Sequence, residues 1–264
     1  MQNKNDSWSS GTAYDQFMGR WSVLIAEKFL DWLSVSPGGS WLDLGCGTGS
    51  LTKLILQTSE PKEIFAIDSS SEFISHAQQT ITNPIVQFQV GLAQALELES
   101  KSVDAVVSAI MLNFVPYPET AIAEMMRVTK TDGTIGIFLW DYAGGMEMLR
   151  YFWDAAVELD NSANAFDEGI RFPLCREGRL ASLVREVGMQ QVEATSIEVK
   201  TTFQNFDDYW NPFLGNVGPA PSYTMSLSQA DRKKLENRLR TALPIDNNGS
   251  IPLTAKAWAV KGTV

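Results

Sequence analysis

A short apolar run, Trp41-Leu42-Asp43-Leu44, gives way to glycines at 45, 47 and 49, and a helix-like pattern resumes at Ser50-Leu51-Thr52. That order reads as a first β-strand turning through a loop made of backbone into a helix N-terminus. Glycines at alternate positions let the main chain pass close to a ligand, where a Cβ would intrude. The spacing is G-x-G-x-G, one residue tighter than the G-x-G-x-x-G that cradles a pyrophosphate.

The remaining pattern agrees. Strand-like and helix-like segments alternate from about Val23 to Val187, which implies βαβ units. A helix over Val23–Leu33 precedes strand one at Ser40–Leu44, and strand two is Glu63–Ile67, ending at Asp68. Ser69-Ser70-Ser71 then offers a serine cap for a helix through Thr80. Strands three and four are Ile85–Val90 and Val103–Ser108, and Lys130-Thr131-Asp132-Gly133 reads as a turn into strand five, Thr134–Trp140. A helix over Glu177–Val187 leads to a final pair, Val192–Phe203 and Leu253–Val260. The expected fold is α/β: a doubly wound, Rossmann-like, mostly parallel seven-stranded sheet with a C-terminal antiparallel strand pair. The chain of 264 residues is read as a single domain, 1–264. Two segments depart from the regular scheme, 146–172 and 205–243. Both are rich in aromatics and read as an inserted helical lid over the substrate site.

Composition excludes several partners. A net charge of −10 argues against nucleic acid, whose binders carry a basic stripe. No apolar run approaches a membrane span, and Met1–Ser10 lacks the apolar core of a signal peptide. Two cysteines make no disulfide framework, so a cytoplasmic setting is expected. One histidine leaves no ligand set for zinc, and no metal is expected. Oligomeric state is open.

With Asp43 two residues ahead of Gly45, the glycine loop resembles motif I of the class I S-adenosylmethionine-dependent methyltransferases. Val103-Asp104-Ala105-Val106-Val107-Ser108 resembles the fourth strand of that family, and Arg127-Val128-Thr129-Lys130-Thr131-Asp132-Gly133-Thr134 its Arg-Val-Leu-Lys-Pro-Gly-Gly turn. Tyr14-Asp15-Gln16-Phe17-Met18-Gly19-Arg20-Trp21-Ser22 resembles the segment that closes over the cofactor in small-molecule members. The match covers roughly Tyr14 to Gly188 and is similar to the ubiquinone/menaquinone-biosynthesis group. The resemblance implies S-adenosylmethionine as cofactor and a small organic methyl acceptor, with the O, N or C atom undetermined. Asp43, Gly45, Gly47 and Gly49 would hold the cofactor, and Asp68 its ribose hydroxyls. Where the family shows Gly-Asp-Ala after strand three, this chain has Gly91-Leu92-Ala93. Leu92 accepts no hydrogen bond, which leaves adenine to Ala93 and Gln94, with Ser108 completing the cofactor set. Arg20 is a candidate partner for the cofactor carboxylate.

Methyl transfer needs alignment and exclusion of water more than a dedicated base, so no catalytic motif is expected. Tyr14 and Asp141 are the candidate catalytic residues, and Asn113, Tyr142, Trp153, Arg171 and Trp210 the candidate substrate contacts. Each has a plainer alternative: Asp68 as a helix cap, Asp141 as a turn cap, Arg20 in a surface ion pair, the aromatics as core. Two rival functions remain, a non-catalytic binder of S-adenosylmethionine or S-adenosylhomocysteine and an NAD(P)-dependent oxidoreductase. The second expects the G-x-G-x-x-G that is absent here.

Overall fold

A computed structural model describes residues 15–215 and 218–264, with side chains from Phe17 onward. Tyr14 lies outside the described residues. Seven strands form one sheet in the order β3-β2-β1-β4-β5-β7-β6. Helix α1 (Arg20–Leu33) precedes β1 (Ser40–Leu44), which is followed by α2 (Ser50–Thr58), β2 (Glu63–Asp68), α3 (Ser71–Thr80) and β3 (Val86–Val90). Then come β4 (Val103–Ala109), α4 (Pro118–Val128), β5 (Thr129–Trp140), α5 (Glu147–Leu159) and the short α6 (Glu168–Arg171). The chain closes with α7 (Arg179–Val187), β6 (Gln190–Phe203), α8 (Phe206–Trp210), α9 (Pro219–Ser226), α10 (Gln229–Ala242) and β7 (Ile251–Thr263). Strands β3, β2, β1, β4 and β5 are parallel neighbours, and the C-terminal pair is antiparallel.

Local signals set these elements. All five residues of β1 are buried, as expected of a parallel strand covered on both faces. The Ser70 hydroxyl accepts from the Phe73 N–H and caps α3. Proline occupies the first turn of α4, where its missing N–H costs nothing. Near the end of that helix, the Arg127 guanidinium donates to the carbonyls of Leu96 and Leu98 and to the Glu124 carboxylate. This fixes the irregular segment after β3 against α4.

One boundary differs from the sequence reading. The Lys130–Gly133 turn lies inside β5 rather than before it. Val103 pairs with Thr129 and Ala105 with Thr134, so the intervening residues bulge out of the ladder, with Asp132 left-handed at φ 63°. Turn chemistry was correct; the strand pairs on both sides of it.

The chain resolves into two compact units, each assembled from separated segments. The sheet unit comprises Ser22–Leu139, Glu177–Ile197 and Trp258–Val264. The second, aromatic unit comprises the described residues through Trp21 together with Trp140–Arg176 and Glu198–Ala257. Both segments expected as a lid, 146–172 and 205–243, belong to it. Its core is a ring cluster: Phe152 stacks on Phe213 at 4.5 Å and 6°, Trp153 stands edge-on to Phe152, and Tyr223 closes on both. The Tyr209 hydroxyl donates to the Met148 carbonyl from full burial.

Candidate cofactor and acceptor site

Strand order reverses beside β1, where β2 lies on one side and β4 on the other. Loops leaving adjacent strands at such a point diverge and open a crevice at the carboxyl edge. The loops concerned are Gly45–Gly49 after β1 and Ile110–Val115 after β4, both in the sheet unit.

In the first loop Gly45, Gly47 and Gly49 are all left-handed, with φ of 77°, 53° and 86°. A Cβ on Gly45 would stand 2.4 Å from Met111 Cγ, so the two loops touch through a glycine that nothing larger replaces. The Gly45 and Cys46 N–H groups donate to the Ile67 carbonyl at 2.7 and 3.1 Å. The Gly47 N–H turns instead to Asp68, reaching Oδ2 at 2.9 Å, while Oδ1 accepts from the Ser70 N–H at 2.8 Å. Asp68 is half-buried, and two backbone donors fix its orientation while each oxygen keeps a further lone pair.

Asp43 is fully buried. Its Oδ2 accepts from the Thr52 hydroxyl at 2.6 Å, and its Oδ1 has no partner. Burial pushes its carboxyl up to about 7; Thr52 opposes this and the nearby Asp68 charge adds to it. Burial also raises Asp68, against the pull of the Ser70 and Gly47 amides. Cys46 is raised well above the usual thiol range by burial, with Asp43 and Asp68 adding repulsion. It stays a thiol at neutral pH and is no nucleophile.

The other expected cofactor contacts sit nearby in sequence. Ala93 is buried, while Leu92 is 60% exposed. The Gln94 side-chain amide donates to the Pro116 carbonyl at 2.6 Å, so its NH2 already has an acceptor. Gly91, Leu92, Ala95, Leu96 and Glu97 line a cavity of about 250 Å³ with Ile67 and Gln89. Ser108 is fully buried with an unpartnered hydroxyl, and both amide atoms of Asn113 are buried and unpartnered.

The residues expected outside this loop system fall in the aromatic unit and are structurally engaged there. Arg20 pairs with Asp208 at 2.8 Å and stacks over Trp21 and Phe203. Asp141 pairs with Lys256 at 2.9 Å and accepts from the Gly144 N–H, the plainer turn-cap role. Trp153 and Trp210, expected at the substrate, pack into the ring cluster instead. Trp153 is fully buried and its indole N–H donates to the Glu168 carboxylate, and Trp210 lies against Phe206 and Phe213. The reason is that helical spacing marks an apolar face without saying what covers it. Tyr142 is buried against Phe172, over which the Arg171 guanidinium also lies.

Sequence reasoning missed Glu168. It is 2% exposed, and burial pushes its carboxyl up to about 8. Beside it Arg150 pairs with Asp167 at 2.7 Å. No local pattern announces a buried acid; only its neighbours reveal it.

Among the described residues no cluster of His, Cys, Asp and Glu could hold a metal ion, and no helix is long and apolar enough to cross a membrane.

The strand order, the left-handed glycine loop and the acid ending β2 resemble those of class I S-adenosylmethionine-dependent methyltransferase domains. Residues 42–137 match the family model described as a methyltransferase domain. Among curated relatives, an uncharacterized methyltransferase of Schizosaccharomyces pombe is 35% identical over 44% of this chain and 45% of its own length. The demethylmenaquinone methyltransferase of Lactobacillus johnsonii is 32% identical over 42% of this chain and 48% of its own. The chain thus spans less than half the length of these relatives. Among solved structures, a phosphoethanolamine N-methyltransferase of Haemonchus contortus, bound to phosphomonomethylethanolamine and S-adenosylhomocysteine, superposes with a TM-score of 0.59 at 14% identity. The superposition covers 96% of this chain and 56% of that one. The YcgJ protein of Bacillus subtilis gives 0.55 at 17% identity, over 92% and 98% of the two chains. At these identities the likeness is one of fold.

Proposed function

We propose that this protein transfers a methyl group from S-adenosylmethionine to a small organic acceptor. The observation that carries the reading is the Gly47–Asp68 pairing: a carboxylate held by backbone donors beside an open glycine turn. Asp68 has lone pairs left for two ribose hydroxyls. A Cβ on Gly47 would meet no atom within 4 Å, so the backbone there is free to be approached. The Asp43 Oδ1 is a buried acceptor with no donor among the described residues, and a cationic cofactor answers it. Gly45 and Gly49 shape the turn, and Ala93 and Gln94 offer backbone groups to adenine in place of the acid that Leu92 replaces.

When bound, S-adenosylmethionine supplies a methyl group on a sulfonium, a leaving group activated in advance. The chain's part is to align donor and acceptor and keep water out. The inserted segments 146–172 and 205–243 select the acceptor in this reading, with Tyr14 as the group that orients it. Two free, buried cysteines suit a reducing, cytoplasmic setting.

Calorimetric titration with S-adenosylmethionine, with NAD and NADP as controls, tests the reading. Selective binding of S-adenosylmethionine is expected. Asp68→Ala should weaken it about 30- to 100-fold, in line with losing hydrogen bonds to a charged group, while leaving the fold intact. An unchanged dissociation constant removes Asp68 from the site. Nicotinamide binding removes the class of reaction.

A further inference from the structure

The loop after β4 carries a feature that cofactor binding does not use. Ile110 has φ +58°, a region that a β-branched side chain almost never enters. The Ile110 N–H donates to the Phe138 carbonyl at 2.9 Å, so the sheet itself pins this conformation. The chain then makes one 3₁₀ turn, Leu112–Phe114, with the Leu112 side chain fully buried as its anchor. Met111 packs where Gly45 lacks a Cβ. Strain at Ile110, the Met111 contact and the Leu112 anchor all immediately precede Asn113 and fix the turn that carries it.

Asn113 is the central residue of this turn, with both Oδ1 and Nδ2 buried and unpartnered. A primary amide brings two donors and an acceptor, and leaving all of them buried without partners is costly. Backbone held in a rare conformation around an unanswered polar group is the mark of a ligand contact more than of packing. The Ser108 hydroxyl, fully buried and unpartnered, lies near the end of β4, two residues before the strained Ile110 of the loop.

We infer that Asn113 recognises the nucleophile-bearing end of the acceptor, and that this end is an uncharged group that both donates and accepts hydrogen bonds, a hydroxyl or a neutral amino group. The inference rests on the methyl-transfer reading above. The chemistry follows from the amide. A carboxylate only accepts and leaves Oδ1 unanswered. An ammonium only donates and leaves Nδ2 unanswered. A hydroxyl or weakly basic amine satisfies both, and a site that hydrogen-bonds such a group rejects analogues that lack it.

The test uses the full chain loaded with S-adenosylhomocysteine and four probes of similar size: phenol, aniline, toluene and benzoate. NMR follows the Asn113 side-chain amide, assigned by its disappearance in Asn113→Leu, and titration gives affinities. Phenol and aniline should move those resonances and bind at least tenfold tighter than toluene or benzoate. Asn113→Leu should abolish that preference without changing the affinity for S-adenosylhomocysteine. Asn113→Asp, which keeps the shape and adds charge, should transfer it to benzylammonium. Phenol and toluene binding alike, neither binding, or an amide held by a fixed water and unmoved by every probe overturns the assignment. A protein that fails to bind S-adenosylhomocysteine overturns the methyl-transfer reading instead; the comparison of phenol with toluene on the free protein then still reads Asn113.

Discussion

The two units differ in which buried polar groups lack partners. In the aromatic unit three carboxylates are paired, Asp208 with Arg20, Asp167 with Arg150 and Asp141 with Lys256, and the buried atoms left over are the Arg20 and Arg150 Nε, the Trp21 and Trp140 indole N–H groups and the Thr201 hydroxyl. In the sheet unit the carboxyl edge holds Asp43 Oδ1, the Ser108 hydroxyl and the whole Asn113 amide without partners. A satisfied polar network rigidifies a core, and an unpaired buried group is costly. On the proposed reading the contrast separates residues that build this protein from residues that use it. On that basis Trp153 and Asp141 move toward the first group, while Asp43 and Asn113 stay in the second.

Substitutions can break that comparison. The largest expected effect is on the ring cluster. Phe152→Ala removes a fully buried ring stacked on Phe213 and should cost about 3–5 kcal/mol, read as a lower midpoint in urea. An effect below about 1 kcal/mol would mean the rings line a cavity after all.

Next is the pH dependence of Glu168. Its folded carboxyl keeps a proton up to about 8, whereas in the unfolded chain it ionises near 4.5. The folded state therefore holds more protons between those values, and stability falls as pH rises from 4.5 to 8, by at most on the order of 5 kcal/mol. Below 4.5 this contribution is fully present, and above 8 it is gone. Glu168→Gln keeps an acceptor for Trp153 and should flatten the upper part of that slope in denaturant titrations at pH 5, 7 and 9. Asp43, raised to about 7, adds a slope of the same sign that ends lower. A variant whose slope is unchanged would place the titration elsewhere.

A smaller effect on stability is expected at Gly45. Gly45→Ala puts a Cβ against Met111 at φ +77° and should cost about 2–3 kcal/mol. Because it shifts the loop, S-adenosylmethionine binding should fall with it in the same calorimetric assay. A stable variant with full binding would show that the two loops are less tightly joined than the contact implies.

Much of the fold was legible because it rests on short-range signals. Trp41–Leu44, the glycine triplet and Asp68 are local patterns tied to backbone chemistry, and the structure assembles them as read. Register was less legible: nothing in Thr129–Thr134 says that pairing resumes on both sides of the turn. The Arg20–Asp208 pair joins residues far apart in the chain, and no window of sequence brings them together. Trp153 and Trp210 show a different limit, since an aromatic stripe packs equally well on a substrate or on its own kind. Asn113 was legible by position, but its unanswered amide required the surroundings.

Gly47 has a practical consequence. Its two companions in the turn are wedged against side chains, Gly45 against Met111 and Gly49 against Ile81, but a methyl group at 47 would protrude into empty space. Its only penalty is that of a left-handed alanine, about 1–2 kcal/mol. One carbon atom there works as a doorstop. On the proposed reading it leaves the architecture standing while denying the cofactor its seat, and so offers a folded, silent twin of the protein against which an effect in a cell can be traced to the proposed activity or to mere presence.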